Sequence, residues 1–138
     1  MKVFITLYAY GGIQAACLRS HVDVAFEIAS KNRAVVYQTV REDALISRSR
    51  SRAAALFLES DADVWLQLDH DIEFDAGEMF DLCEKAIEKE AAVCVPYSFR
   101  GPKRMPSLRQ DPDHAITTVG KDEIKPIMFF ASGCVAIP

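Results

Sequence analysis

Asp69-His70-Asp71 places two carboxylates one residue apart. Oxygen ligands of this kind suit a hard divalent cation, Mn²⁺ or Mg²⁺, and such a cation can hold a diphosphate. The plainer use of the triplet is a solvated acidic loop leading into the next helix. Context separates the two readings. The triplet ends the apolar run Val64-Trp65-Leu66-Gln67-Leu68, which has the pattern of a buried parallel strand. Open α/β sheets bind ligands beyond the C-terminal ends of such strands. Glu73 and Asp75 follow closely. A calcium loop of the EF-hand type is excluded, because Phe74 stands where glycine is needed and Phe80 where the bidentate glutamate is needed.

A second group is cationic. Arg48, Arg50 and Arg52 alternate with serines just before the apolar residues Ala53, Leu56 and Phe57. A guanidinium fork matches phosphate oxygens, and a helix start adds backbone donors. Alternate residues do not share a helix face, so the run is in large part a solvated surface. Arg50 is the candidate for contact with a base or phosphate. The loops after the first two strands contribute Thr6, Tyr8 and Tyr10, then Asp43: hydroxyls, stacking surface and a carboxylate for a flat base. Taken singly, each is more simply structural. Their interest is a shared sheet edge with Asp69 and Asp71. His70 joins this substrate-facing set by position, with its side chain alternating away from the aspartates. His21 reads as a surface helix residue. His114 lies in a loop that would have to fold over the site to bring it to a metal.

The elements that position these groups follow from apolar spacing. Val3 to Leu7 reads as a central strand and Tyr8 to Gly12 as its loop. Ala15 to Ser30 has helical spacing, and Ala34 to Val40 is a second strand. A helix follows with Ser47 or Ser49 as its cap. The Trp65 strand comes next. Asp75 and Glu78 form the start of a third helix, whose buried stripe is Met79, Phe80, Cys83, Ala86 and Ile87. Ala91 to Tyr97 is a fourth strand. Phe99 to Pro112 is a loop rich in Pro, Arg and Gly. Ala115–Val119 and Ile124–Phe130 pair as a hairpin around Gly120-Lys121-Asp122, and Cys134 to Ile137 is the last strand. The alternation predicts an α/β fold: a three-layer α/β/α sandwich on a mostly parallel sheet.

Length and composition bound the rest. The 138 residues suit one domain, and half of them are apolar, enough for a core without staples. A net charge of −4 argues against nonspecific nucleic-acid binding. Four scattered cysteines form no zinc spacing and point to a reducing, cytoplasmic compartment. Residues 2–17 mimic a secretory signal only faintly, since one charge precedes the apolar run and Gly11-Gly12 interrupts it. No stretch approaches the ~20 apolar residues of a membrane span.

The stretch from Ile46 to Asp71, with its Arg-rich helix start, apolar helix, acidic turn (Asp61, Asp63) and strand ending in D-x-D, resembles nucleotide-diphospho-sugar glycosyltransferases of the GT-A fold, nearest to family 2-like and phage-associated members. The resemblance covers residues 1–100, and Ala131 to Ile137 is similar to a later core strand. It implies a UDP- or GDP-sugar donor and an unknown acceptor. Asp71 would bind Mn²⁺ or Mg²⁺ at the diphosphate, and Asp69 the ribose or the metal shell. Thr6, Tyr8 and Asp43 would frame the base, and Arg50 would meet the base or diphosphate. The family's acidic base follows the strand similar to Ala131–Ile137. The chain stops at Pro138, so the expectation is one GT-A-like domain over 1–138 without the usual acceptor part. Asp111, Asp113 and Glu123 stand as base candidates by default. The open sheet edge favours a homo-oligomer. Two other classes compete: a non-catalytic or structural, phage-like module of the same fold, and a haloacid-dehalogenase-like phosphatase. The second uses D-x-D on its first strand, whereas here two strands precede the motif.

Overall fold

The computed structural model describes residues 1–41, 45–95, 108–109, 124–127, 129–130 and 133–138. Its elements are β1 (Lys2–Ala9), α1 (Ala15–Lys31), β2 (Ala34–Arg41), α2 (Ile46–Leu58), β3 (Val64–Asp69), α3 (Ala76–Lys89), β4 (Val93–Cys94), β5 (Leu108–Arg109), β6 (Phe129–Phe130) and β7 (Cys134–Ile137). They divide into two compact units. One comprises Met1–Val93 with Gly133–Pro138, the other Cys94–Ser132.

The first unit is α/β, built on a five-stranded sheet of order β2-β1-β3-β7-β4. β1 is an interior strand, with Val3 to Leu7 all buried, and β3 is the middle one. β1 pairs in parallel with β2 and with β3, in registers that set Tyr8 beside Val40 and beside Asp69. The sheet is not mostly parallel, contrary to the sequence expectation. β7 runs antiparallel to β3, with Trp65 beside Ile137 and Leu68 beside Cys134. The sheet is therefore mixed. A short apolar run such as Cys134–Ile137 encodes burial but not direction, which is set by where the chain re-enters the sheet.

The helices pack against the strands through distinct sets of residues. Ala53 of α2 packs with Phe4, Trp65 and Val40, and Phe57 stacks on Trp65 at 5.9 Å between ring centroids. Alternation along β1 turns Leu7 the other way, where it meets α1 beside Tyr37 of β2. α1 in turn lies against α3, which covers β3 and β7. Arg33, just past α1, joins the two helices: it reaches Glu27 and Glu84 at 3.6 Å each and lies 4.3 Å from the Phe80 ring centre.

Several boundaries differ from the sequence reading. Tyr8 belongs to β1, not to the loop after it. α2 begins after Leu45, with no side-chain cap from Ser47 or Ser49. Asp75 does cap α3, accepting from the Glu78 amide at 3.0 Å. The fourth strand is only Val93–Cys94. In the second unit, Phe129–Phe130 pairs antiparallel with Leu108–Arg109, a segment read as loop. Ala115–Val119, the expected partner, lies outside the described residues, as do His114, Asp111, Asp113 and Glu123. Hairpin turns are local signals, whereas this pairing joins positions about twenty residues apart. None of the described helices is long and apolar enough to cross a membrane.

Candidate functional site

The acidic turn is held in place by backbone from three elements. The Asp69 amide donates to the Gly133 carbonyl at 2.8 Å, just before β7. The His70 amide donates to the Tyr8 carbonyl at 3.1 Å, and the His70 carbonyl accepts from the Gln14 amide at 3.2 Å, at the start of α1. The Asp69 carbonyl accepts from the buried Cys17 thiol at 3.7 Å. A turn tied to β1, α1 and β7 presents its side chains from a rigid frame, which is what a binding site on an α/β sheet requires.

α2 supplies the cation. Its inward positions are Ser49, Arg50 and Ala53, one helical face, while Arg48 and Arg52 are exposed. The Arg50 guanidinium donates to Asp69 Oδ1 at 3.3 Å and lies 5.5 Å from the centre of the Tyr8 ring. The Tyr8 hydroxyl in turn donates to Gln67 Oε1 at 3.1 Å. Asp69, Arg50, Tyr8 and Gln67 thus form one connected polar chain. Gln67 is its buried end. The signal for it in the sequence is an amide interrupting an otherwise apolar strand.

Tyr8 and Asp69 of this chain border a cavity of about 280 Å³ lined also by Tyr10, Val40, Ile46, Ser49, His70 and Asp71. One wall is acidic. The rest of the lining is largely apolar and aromatic, with Tyr10 and Ile46 mostly exposed. A few polar groups on an apolar surface are the usual make-up of a small-molecule site. Val40, Ile46 and Ser49 were not read as site residues from the sequence, because apolar and hydroxyl residues at the end of a strand or the start of a helix carry no chemical signature.

Burial gives the site its electrostatic character. Removal from water raises the Asp69 carboxyl above its ordinary range; Arg50 opposes that shift, and the neighbouring Asp71 charge reinforces it. The Tyr8 phenol is likewise raised, chiefly by burial, so it stays a hydrogen-bond donor. Cys17 is raised too, by burial first.

The remaining candidates fall elsewhere. Thr6 is fully buried, and its hydroxyl accepts from Trp65 Nε1 at 2.9 Å within the sheet. It does not reach the cavity. Asp43 lies outside the described residues. His21 stands between the Tyr37 and Phe74 rings, hydrogen-bonded to the Tyr37 hydroxyl.

Among the described residues, no three His, Cys, Asp or Glu side chains cluster as a metal cage. Compared with known protein families, curated proteins and solved structures, the chain matches none.

Proposed function

We propose that the cavity at the ends of β1 and β3 binds a nucleoside-diphosphate sugar, and that the protein is a metal-dependent glycosyltransferase with the three-layer architecture of the GT-A fold. The observation that carries this reading is that Asp69, Asp71 and Tyr8 line one cavity while Arg50 of α2 pairs with Asp69 beside it. The likeness of Ile46–Asp71 to that class supports it. Tyr10, Val40 and Ile46 offer a flat base an apolar surface. Asp71, with Asp69, would hold Mn²⁺ or Mg²⁺, which supplies positive charge to the departing diphosphate. Arg50 sits where it can exchange Asp69 for a phosphate oxygen, adding a second positive charge. In the transfer, the bond from the anomeric carbon to the β-phosphate oxygen breaks. A bond from the acceptor oxygen to that carbon forms, and the acceptor proton leaves to a base.

Calorimetric titration of UDP and GDP, with and without Mn²⁺, tests this on the wild type and Asp71→Ala. The expected result is metal-dependent binding that weakens at least tenfold in the variant. Absence of binding under every condition overturns the assignment. Metal-dependent binding without sugar transfer identifies a binding module of the same fold. Turnover of a generic phosphoester identifies a phosphatase instead.

A further inference from the structure

The side of α1 turned away from α3 carries an apolar stripe that the described residues leave open. Cys17, Ser20 and Val24 face the sheet. Leu18, Val22 and Phe26 point outward, 53%, 46% and 69% exposed. Positions 18, 22, 25, 26 and 29 fall on one side of a helix, so this is a continuous strip. It overhangs β2, which is the last strand of the sheet on that side. Tyr37 of β2 continues the apolar surface below the helix and lines a shallow groove with it. Apolar patches of this extent on a polar-rimmed surface mark interaction sites.

The occupant follows from the charges at the rim. Arg19 and Asp23 are exposed neighbours along the stripe's outer margin. Set a second copy of α1 antiparallel across a two-fold axis near Val22. Leu18 then faces Phe26 of the second copy, and Val22 faces its own equivalent. A two-fold of this kind brings the same margin of both helices together, so each Arg19 meets the other copy's Asp23. The surface is thus self-complementary in both shape and charge, as an isologous interface requires. We infer that the outward face of α1 is a homodimer interface, with α1 of one copy packed antiparallel on α1 of the other.

Sedimentation analysis of the full 138-residue chain tests this. The wild type should sediment as a dimer, and Phe26→Asp should weaken dimerisation at least tenfold. Arg19→Asp and Asp23→Arg should each weaken it, and the double exchange should restore it. Val22→Cys should form an intermolecular disulfide on oxidation. That bond is assignable, because Cys17, Cys83 and Cys134 are buried and a wild-type control covers Cys94. Circular dichroism of each variant separates loss of the dimer from loss of the fold. A monomeric wild type at micromolar to millimolar concentration overturns the inference. So does a folded Phe26→Asp that remains fully dimeric, or a Val22→Cys that fails to cross-link. A monomer that a separate peptide or protein then converts to a complex assigns the face to another partner and equally overturns it.

Discussion

Asp69→Asn should make the protein more stable at neutral pH while abolishing the metal-dependent nucleotide binding proposed for the cavity. The substitution keeps the shape of the side chain and an oxygen for Arg50, and removes only the charge. At 3.3 Å from the guanidinium, and with an effective dielectric near 20, the attraction is on the order of 5 kcal/mol before solvent screening. The two side chains are 26% and 32% exposed, so water screens a substantial part of it. Withdrawing a carboxylate from water costs several kcal/mol in the opposite direction. The two nearly cancel, and Asp71 adds repulsion. The net direction is visible in the carboxyl itself, held above its ordinary range chiefly by burial. A group whose native pKa is raised destabilises the folded state wherever it is ionised in that state. The stabilisation of Asp69→Asn should therefore be on the order of 1 kcal/mol near pH 7, a Tm gain of a few degrees for a domain of this size. It should shrink as pH falls through the native pKa of Asp69 and level off below about 3.8, the value of the unfolded group. Thermal unfolding of both proteins at several pH values measures this. A variant that is less stable at pH 7, or a gap that does not narrow in acid, would refute the argument that burial outweighs the ion pair.

Two further predictions concern groups away from the cavity. Thr6→Val should cost about 1–3 kcal/mol, because it leaves the buried Trp65 indole N–H without its acceptor. Urea unfolding reads that loss, and nucleotide titration should be unchanged; weakened binding in the folded variant would return Thr6 to the site. His21 is lowered to about 4 by burial, so the native state prefers the neutral ring. Its contribution to stability is complete above the unfolded value of 6.5 and is lost as pH falls from there toward 4. His21→Gln, which can still accept from the Tyr37 hydroxyl, should flatten the Tm profile across that window, and an unchanged slope would show that His21 is not the titrating group.

Much of the frame is local and was legible in the residues. The apolar run of β3, the Asp75–Glu78 cap of α3 and the inward placement of Arg50 follow from short-range spacing, which the backbone geometry of strand and helix enforces. The placement of Asp69 at a strand end follows likewise, since the strand stops where the apolar run does. Other features depend on partners distant in sequence. β7 entering antiparallel beside β3, Leu108–Arg109 pairing with Phe129–Phe130, and Thr6 turned inward to Trp65 each depend on an element that local pattern does not name. The open stripe of α1 shows the same division. Its apolar residues announce burial, but only the assembled sheet shows that α3 and the strands cover the other side of the helix. The ion pair of Arg50 with Asp69 was equally invisible, because the two groups lie nineteen positions apart on different elements, a helix and a strand. Residue types and spacing determined which groups could do chemistry and which segments had to be buried. The tertiary structure decided which of those groups meet, because hydrogen-bond partners, strand direction and desolvation are properties of the packed chain and not of its local pattern.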